Sequence, residues 1–310
     1  MKATASFNKF YFSRALFFQK SLLLFCTALC IGLLLGCSAR KTAYRFADTY
    51  LHHELDSSFD LDSAQSKFIK TQLAFHLEWH RTSELPKVTA LLNSLATRVQ
   101  QPGFTSGDAD TFLKNLLGLR NNIAAQVRND TGAFLHSVSA NQLKYVEKEN
   151  AKRNTKRLKT LKLPAAEYLE KKHEGVAKIA KYWVGGISPK QNEMLAEFVQ
   201  AGRGYENLKF EHALQSQKNF VNFLKGGPSS VDISQQLELW VTQPESQFSD
   251  VYKKSADANR VRLINLLVDF DSSLQPEQRA TLVKELALLR EDIQFLIDQK
   301  TKKRMPQKTK

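Results

Sequence analysis

Apolar side chains recur every three or four residues over most of the chain. The two clearest stripes are Leu282, Leu286, Leu289, Ile293 and Leu296, and Phe112, Leu116, Leu119 and Ile123. This spacing places the apolar side chains on one face of an α-helix. No convincing run of alternating apolar and polar residues, the signature of a strand, occurs anywhere. The pattern therefore predicts an all-α fold, either a helical bundle or stacked helical hairpins.

The predicted helix starts share a capping pattern. A polar residue stands three positions before a glutamine at Asp62–Gln65, Ser139–Gln142, Ser188–Gln191, Asp232–Gln235 and Gln275–Gln278. In a capping box the first side chain accepts the backbone N–H of the last residue, whose own side chain reaches back. The intervals between the last four glutamines are 49, 44 and 43 residues, close to the period of a helix-pair repeat. Such a repeat, and an ordinary all-helical protein that caps each helix, both stay open.

Three features predict how the helices connect. Residues 147–157 contain no large apolar side chain, so a helix there forms either an exposed arm or a bridge between packed parts. Asp130-Thr131-Gly132 and Pro86 are expected to interrupt or kink helices. The stripe that ends at Leu296 is expected to pack on the helix before it, through a turn at residues 271–275, as an antiparallel hairpin.

The beginning of the chain follows a different pattern. Four basic residues and no acidic ones accompany an apolar run, Leu22 to Leu35, whose 14 residues are fewer than the ~18–20 that span a membrane. This arrangement is typical of a secretory signal. It ends in Leu34-Leu35-Gly36-Cys37, the pattern that a bacterial lipoprotein peptidase cuts, so we expect acyl chains, palmitate included, on Cys37. A plain N-terminal anchor and an ordinary cleaved signal are the alternatives.

These patterns divide the chain into four parts. We expect a lipoprotein signal peptide (1–36), a lipidated cysteine with a polar tether (37–43), an all-helical domain (44–299) and a basic, disordered tail (300–310). Ser38 follows the cysteine, where Asp would favour retention in the inner membrane of enteric bacteria. The protein is therefore expected at the outer membrane of a Gram-negative cell, on the inner leaflet that faces the periplasm.

Cysteine content and charge narrow the classes of partner. Cys26 and Cys30 leave with the signal, so no disulfide and no cysteine-based metal site can form within the remaining chain. The net charge is +14, and it is +10 after residue 36. A basic surface favours anionic lipid, lipopolysaccharide or an envelope protein as partner, and a solvated surface that maintains solubility is the simpler interpretation. A secreted lipoprotein does not meet nucleic acid routinely, so none is expected.

One helical stretch carries the candidate site chemistry. His76, His80 and Glu84 follow one another at four-residue steps, which places them on one face of a continuous helix, within its apolar arc. Two histidines at this spacing can share a metal, with the carboxylate as a third ligand. Glu78 points to the opposite face, unlike the glutamate of metalloproteases. We expect instead a pair of neutral histidines hydrogen-bonded in a helical core, with Glu84 capping the helix that Pro86 helps to start and no bound metal, and the metal site is the alternative.

Other catalytic signatures are absent from the sequence. It has no Gly-x-Ser-x-Gly elbow, no phosphate-binding glycine loop and no thiol nucleophile. Charge is concentrated instead between Lys144 and Lys162 and in the tail from residue 300. We expect a non-catalytic binding, scaffold or chaperone-like envelope protein without a cofactor. The alternative is a metal-dependent hydrolase that uses His76 and His80.

Several motifs resemble those of a known family. They are Ala43-Tyr44-Arg45, Phe59-Asp60-Leu61-Asp62-x-x-Gln65, His76-Leu77-Glu78-Trp79-His80-Arg81 and Glu84-Leu85-Pro86. With the cysteine motif before them, they resemble a family of proteobacterial lipoproteins known only as a domain of unknown function. The resemblance extends through the helix starts at Ser139 and Ser188. It implies an all-helical envelope lipoprotein with no established activity. A weaker likeness is to periplasmic chaperones with a repeated Leu-Thr-x-x-Gln motif, whose threonine is replaced here at every occurrence.

Overall fold

The computed structural model describes residues 44–299, which form α-helices joined by short turns. No β-strand occurs in this range, so the predicted all-α fold is confirmed. The helices are α1 (Ala47–Phe59), α2 (Ser63–Trp79), α3 (Leu85–Val99), α4 (Ser106–His136), α5 (Ala140–Leu161), α6 (Ala165–Val184), α7 (Pro189–Ala201), α8 (Arg203–Lys225), α9 (Ser230–Thr242), α10 (Asp250–Ser272) and α11 (Pro276–Asp298). A π-helical turn (His80–Glu84) connects α2 to α3, and a 3-10 turn (Pro244–Gln247) precedes α10.

Three of the predicted segments lie outside the described residues. They are the signal peptide (1–36), the lipidated cysteine and tether (37–43), and the basic tail (300–310). Between residues 44 and 299, none of the helices is long and apolar enough to cross a membrane.

Four of the five predicted capping boxes occur in the structure. At α2, α5 and α7 the capping oxygen and the glutamine satisfy each other's backbone N–H, and at α11 Gln278 accepts the N–H of Gln275. The prediction at Asp232 was wrong. Ser229 caps α9, and the carboxylate of Asp232 accepts its backbone N–H. The turn that contains Gly227, at φ 67°, starts this helix one turn earlier than expected.

The interruption expected at Asp130-Thr131-Gly132 is absent, because α4 continues to His136. Gly132 instead lets α9 approach α4. A Cβ at this position would overlap Oγ of Ser234 and lie 2.6 Å from the carbonyl oxygen of Ser230. The glycine is therefore required by the packing of two helices and does not end one of them.

The partner predicted for the C-terminal stripe was also wrong. Helix α11 packs mainly on α3 and α6, and not on α10 as a hairpin. Its apolar seam shares one core cluster with Leu85, Leu92 and Val99 of α3. These three residues stand seven apart, the heptad spacing of a coiled-coil seam. The apolar seams of α3 and α11 have compatible spacing. The expected partner, α10, followed only from its position directly before α11 in the chain.

Residues 147–157 form a bridge between packed parts of the protein, which is one of the two arrangements expected for this segment. They belong to α5, which packs on α1 and α8. Asn150 is buried, Arg153 donates to Oγ of Ser58 at 3.2 Å, and Asn154 donates to Gln217 at 2.7 Å. Polar contacts thus hold a helix that has no apolar stripe in this segment.

The described chain contains two halves with the same arrangement of glutamines. In the first half (α1–α5), the side-chain amides of Gln65 and Gln142 bind each other, with N···O distances of 3.2 and 2.6 Å. In the second half (α6–α11), Gln191 and Gln278 do the same at 2.9 and 2.8 Å. We call each pair an amide clasp. Each clasp ties the start of the second helix of its half to the start of the last helix.

The two halves also exchange packing partners. Helix α1 packs on α2 and α5, and α6 packs in the same way on α7 and α11. The third helix of each half crosses over, since α3 packs on α11 and α8 packs on α5. Helix α9 has no counterpart in the first half. Both apolar cores therefore contain side chains from both halves, and the halves are interdependent.

Candidate functional site

A small apolar pocket lies between α1, α2, α4 and α9, with a volume of about 120 Å³. Its apolar lining includes Leu55, Phe59, Ile69, Leu73, Phe134 and Leu237. An apolar cavity of about 150 Å³ holds one benzene molecule. The pocket therefore has room for one apolar group of side-chain size.

Local sequence explains why space is left here. Helix α4 presents Ala124 to the pocket among much larger neighbours, and its methyl group fills little of the space between the helices. Helix α9 closes the opposite side through Leu237. It can do so because Gly132 allows the two helices to approach closely. Small residues on α4 therefore both admit the covering helix and leave the pocket beneath it.

His76 is the buried polar side chain of this pocket. It is 4% exposed, and its Nε2 lies 2.8 Å from Oδ2 of the half-buried Asp130 on α4. Its Nδ1 is buried and has no hydrogen-bond partner among the described residues. The ring of Phe75, which is exposed, meets the imidazole edge to face at 5.2 Å. Asp130 thus orients the ring and leaves Nδ1 available for a hydrogen bond.

His80 belongs to a different contact. It is fully buried, and its Nδ1 lies 3.1 Å from Oη of Tyr44. The tyrosine hydroxyl also donates to the carbonyl oxygen of Leu77 at 3.3 Å. Burial lowers the pKa of His80 to about 4 and raises the pKa of Tyr44, since both charged forms lose hydration. At neutral pH this pair is uncharged.

Glu84 makes a third, separate set of contacts. It is 1% exposed, one oxygen lies 2.6 Å from Nζ of Lys87, and the other accepts a hydrogen bond from Asn122 at 3.3 Å. The expectation that Glu84 caps α3 was wrong, because the start of α3 has no side-chain cap. The π turn runs directly into this helix, and its backbone N–H groups are already paired within the continuous helical chain.

The structure does not bring His76, His80 and Glu84 together as a metal site. Throughout residues 44–299, no group of three or more His, Cys, Asp or Glu side chains could hold a metal ion. The expectation that these three side chains share one face holds only for an unbroken α-helix. A π turn has more than 3.6 residues per turn, so a four-residue step across it no longer keeps side chains in line. All three side chains are buried, as expected for residues of a helical core.

The pocket combines apolar side chains with a few polar ones. The hydroxyl of Thr131, which lines it, donates to the carbonyl oxygen of Val127 at 2.8 Å and is held as part of the helix. The other polar side chains of the walls are Gln72, His76, Arg128 and Asp130. This combination can bind an apolar group and fix one polar atom beside it.

Sequence reasoning identified His76 but missed Asp130, Ala124 and Leu237. Asp130 was interpreted as part of a helix break, since Asp, Thr and Gly often end helices. Ala124 carries no chemical signal of its own. Leu237 lies far along the chain, and no local pattern shows that α9 covers α4. The sequence does carry one signal of a long-range contact, the seven-residue spacing of Leu85, Leu92 and Val99 in α3, which indicates its packing on α11.

The fold and the site define an all-helical protein with a small apolar pocket and a π-helical turn beside it. Residues 57–253 match a family of unknown function, DUF6279, and the chain belongs to that family. The matched segment begins within α1 and ends within α10, so it includes the π turn, the first amide clasp and the pocket apart from Leu55. Comparison with curated proteins and with solved structures gives no match.

Proposed function

We propose that this chain is a lipid-anchored envelope protein that binds an apolar side chain of a partner polypeptide. It acts as a non-catalytic binding or chaperone-like protein, and the lipid on Cys37 holds it at the outer membrane, facing the periplasm. The observation that carries the binding role is the pocket of about 120 Å³ between α1, α2, α4 and α9.

The size and chemistry of the pocket support a polypeptide as the occupant. A volume smaller than that of a cavity that holds benzene fits one aliphatic side chain and is too small for a long acyl chain. The unpartnered Nδ1 of His76 can accept or donate one hydrogen bond to the polar backbone that accompanies such a side chain. Exposed Phe75 beside it extends the apolar contact.

The anchor and location are supported by the sequence alone. The basic residues, the short apolar run and the Leu34-Leu35-Gly36-Cys37 motif follow the order of a bacterial lipoprotein signal. None of the helices described for residues 44–299 could replace the lipid as a membrane anchor by spanning the bilayer. Proteobacterial origin belongs to the same proposal.

Filling the pocket tests the binding role. The substitution Ala124→Leu places a larger side chain in the space beside Leu73 and Leu237. We expect the variant to stay folded and to lose at least tenfold in affinity for a reduced, alkylated and permanently unfolded model protein, measured by fluorescence anisotropy. The occupant and the new side chain compete for the same volume.

The matched control is Ala133→Leu, an exposed position on the same helix. It adds the same surface without entering the pocket and should bind as the wild type does. Equal affinity of the wild type and the Ala124→Leu variant would show that the unfolded chain binds elsewhere.

A further inference from the structure

A second polar cluster lies where α5, α6 and α8 meet. Four basic side chains, Arg157, Lys172, Arg203 and Lys209, lie around Tyr168 and the partly buried carboxylate of Glu206. The ammonium groups of both lysines lie 3.4 Å from this carboxylate. Arg157 places its guanidinium 5.1 Å from the ring centroid of Phe210. Burial alone would raise the pKa of Glu206, but Lys209, Lys172 and Arg157 together lower it.

The cluster contains a buried hydroxyl that is unpaired. Tyr168 is 2% exposed, and its Oη has no hydrogen-bond partner among the described residues. Arg203 and Lys172 lie over the tyrosine ring, 5.4 and 5.6 Å from its centroid. A buried hydroxyl without a partner is destabilising, and in a native structure it indicates a water or ligand that completes it.

The positive charge in this cluster exceeds its negative charge. Glu206 is shared between Lys172 and Lys209. Arg203 makes no ion pair with any carboxylate in residues 44–299. Its guanidinium lies over the ring of Tyr168. Arg203 therefore adds a positive charge that no carboxylate compensates in a half-buried site, which favours an additional anion.

The first half of the chain shows that the fold does not require these charges. His80 and Glu206 stand the same number of residues after Gln65 and Gln191, the first glutamines of the two amide clasps. In the first half the position holds a buried, neutral imidazole against Tyr44. The second half holds a charged group among cations. Helix packing is satisfied by the neutral version, so the charges need another explanation.

We propose that Tyr168, Arg157, Arg203 and Lys172 bind an oxyanion of the phosphate class. Guanidinium and ammonium groups with a neutral hydroxyl donor are the chemistry that recognises phosphate oxygens. The hydroxyl of Tyr168 donates a hydrogen bond to one oxygen, and Arg203 supplies the positive charge that its present contacts leave uncompensated. The anion is either free phosphate or the headgroup of an anionic lipid. This site lies apart from the apolar pocket and does not depend on it.

Calorimetric titration of the full chain in non-ionic detergent tests the site. One arm uses inorganic phosphate, and the other uses dihexanoyl phosphatidic acid, with dihexanoyl phosphatidylcholine as its neutral partner. We expect saturable binding to at least one of the two phosphate probes and none to phosphatidylcholine. Arg203→Gln should weaken it about tenfold or more, the effect expected for losing one charge-assisted contact. Tighter binding of phosphatidic acid than of phosphate assigns the site to a headgroup, and equal affinity assigns it to the free anion.

Two further variants separate the site from general charge effects. Lys225→Gln removes one surface charge of α8, at an ion pair with Glu147, and should bind as the wild type does. Tyr168→Phe should raise the unfolding temperature without phosphate, because an unpaired buried hydroxyl is removed, and should also weaken binding several-fold. The proposal is overturned if neither phosphate probe binds. It is equally overturned if Arg203→Gln and Tyr168→Phe both bind like the Lys225→Gln control.

Discussion

Individual buried side chains of this protein differ in how they tolerate charge. Asp271 and Arg279 are buried together, with a carboxylate oxygen 2.7 Å from Nη1, and each compensates the other. The imidazole of His80 is affected mainly by its burial. Its Nδ1 lies beside the hydroxyl of Tyr44, and burial lowers its pKa to about 4. The protonated form of His80 is therefore disfavoured in the folded protein.

The lowered pKa of His80 predicts that the folded protein loses stability in acid. Its folded pKa of about 4 lies below the unfolded value of 6.5, so the unfolded chain takes up the proton first. The contribution is fully present above pH 6.5 and is lost as the pH falls from there towards 4. The shift corresponds to about 3 kcal/mol in the free energy of unfolding. Urea denaturation at pH 7.5, 6, 5 and 4.5 should show the wild type losing more stability than His80→Gln.

His53→Gln serves as the control for this experiment, because His53 is an exposed histidine on α1. Its pH profile should follow that of the wild type. Parallel profiles for the wild type and His80→Gln would contradict the argument and would mean that water reaches the imidazole in the folded state.

At the scale of helices, the two amide clasps determine which helix starts meet. Gln65 and Gln142 each form part of a capping box and also bind the other's amide. The Gln65 amide also donates to the carbonyl oxygen and the hydroxyl of Ser137, both at 3.1 Å. Gln191 repeats this with Ser273 in the second half. Each of these glutamine side chains thus caps its own helix and also forms a hydrogen bond at the start of another helix.

The clasp predicts coupled effects of substitution. Gln65→Ala and Gln142→Ala should each lower the free energy of unfolding by about 1–3 kcal/mol, since each leaves buried polar groups unpaired. The double variant should cost less than the sum of the two, with a coupling of about 1 kcal/mol in a double-mutant cycle measured with urea. Gln215→Ala, at an exposed position on α8, is the control and should change little. Strict additivity would show that the two amides act independently.

At the scale of the whole molecule, the cores depend on both halves of the chain. One core contains Phe220, Val221 and Leu224 of α8 with side chains of α1, α2, α4 and α5. The other packs α3 against α11. Helix α9, which is present in the second half alone, covers α4 and completes the pocket. The pocket is therefore a product of the complete domain.

The location of the molecule is tested by removing the proposed anchor. Cys37→Ser should move the protein from the membrane to the soluble periplasmic fraction in an enteric host. The acyl chains contribute ~0.8 kcal/mol per buried CH₂, and no helix in the described range replaces them. Ser38→Asp keeps the cysteine and should leave the protein membrane-bound but in the inner membrane. Unchanged membrane binding of the Cys37→Ser variant would show that another feature holds the protein there.

Much of the local structure follows from short-range sequence. Helical periodicity predicted an all-α fold because a 3.6-residue repeat leaves few alternatives. The glutamine boxes located α2, α5, α7 and α11, since a capping box is satisfied within four residues. The same local signals misplaced the start of α9. They also led to the wrong prediction of a helix end at Gly132, because the sequence alone does not distinguish a glycine in a turn from one in a close helix contact.

Contacts between distant residues were decided by the tertiary structure. The sequence placed His76, His80 and Glu84 on one face, but the π turn and the packing of α4 directed them to Asp130, Tyr44 and Lys87. The sequence shows each capping glutamine, but it does not show which two glutamines bind each other. Neither the pocket nor the cation cluster has a local signature, because each combines side chains of three or four helices. Local propensity determined the helices of this protein, and the burial of their apolar faces against distant helices determined its sites.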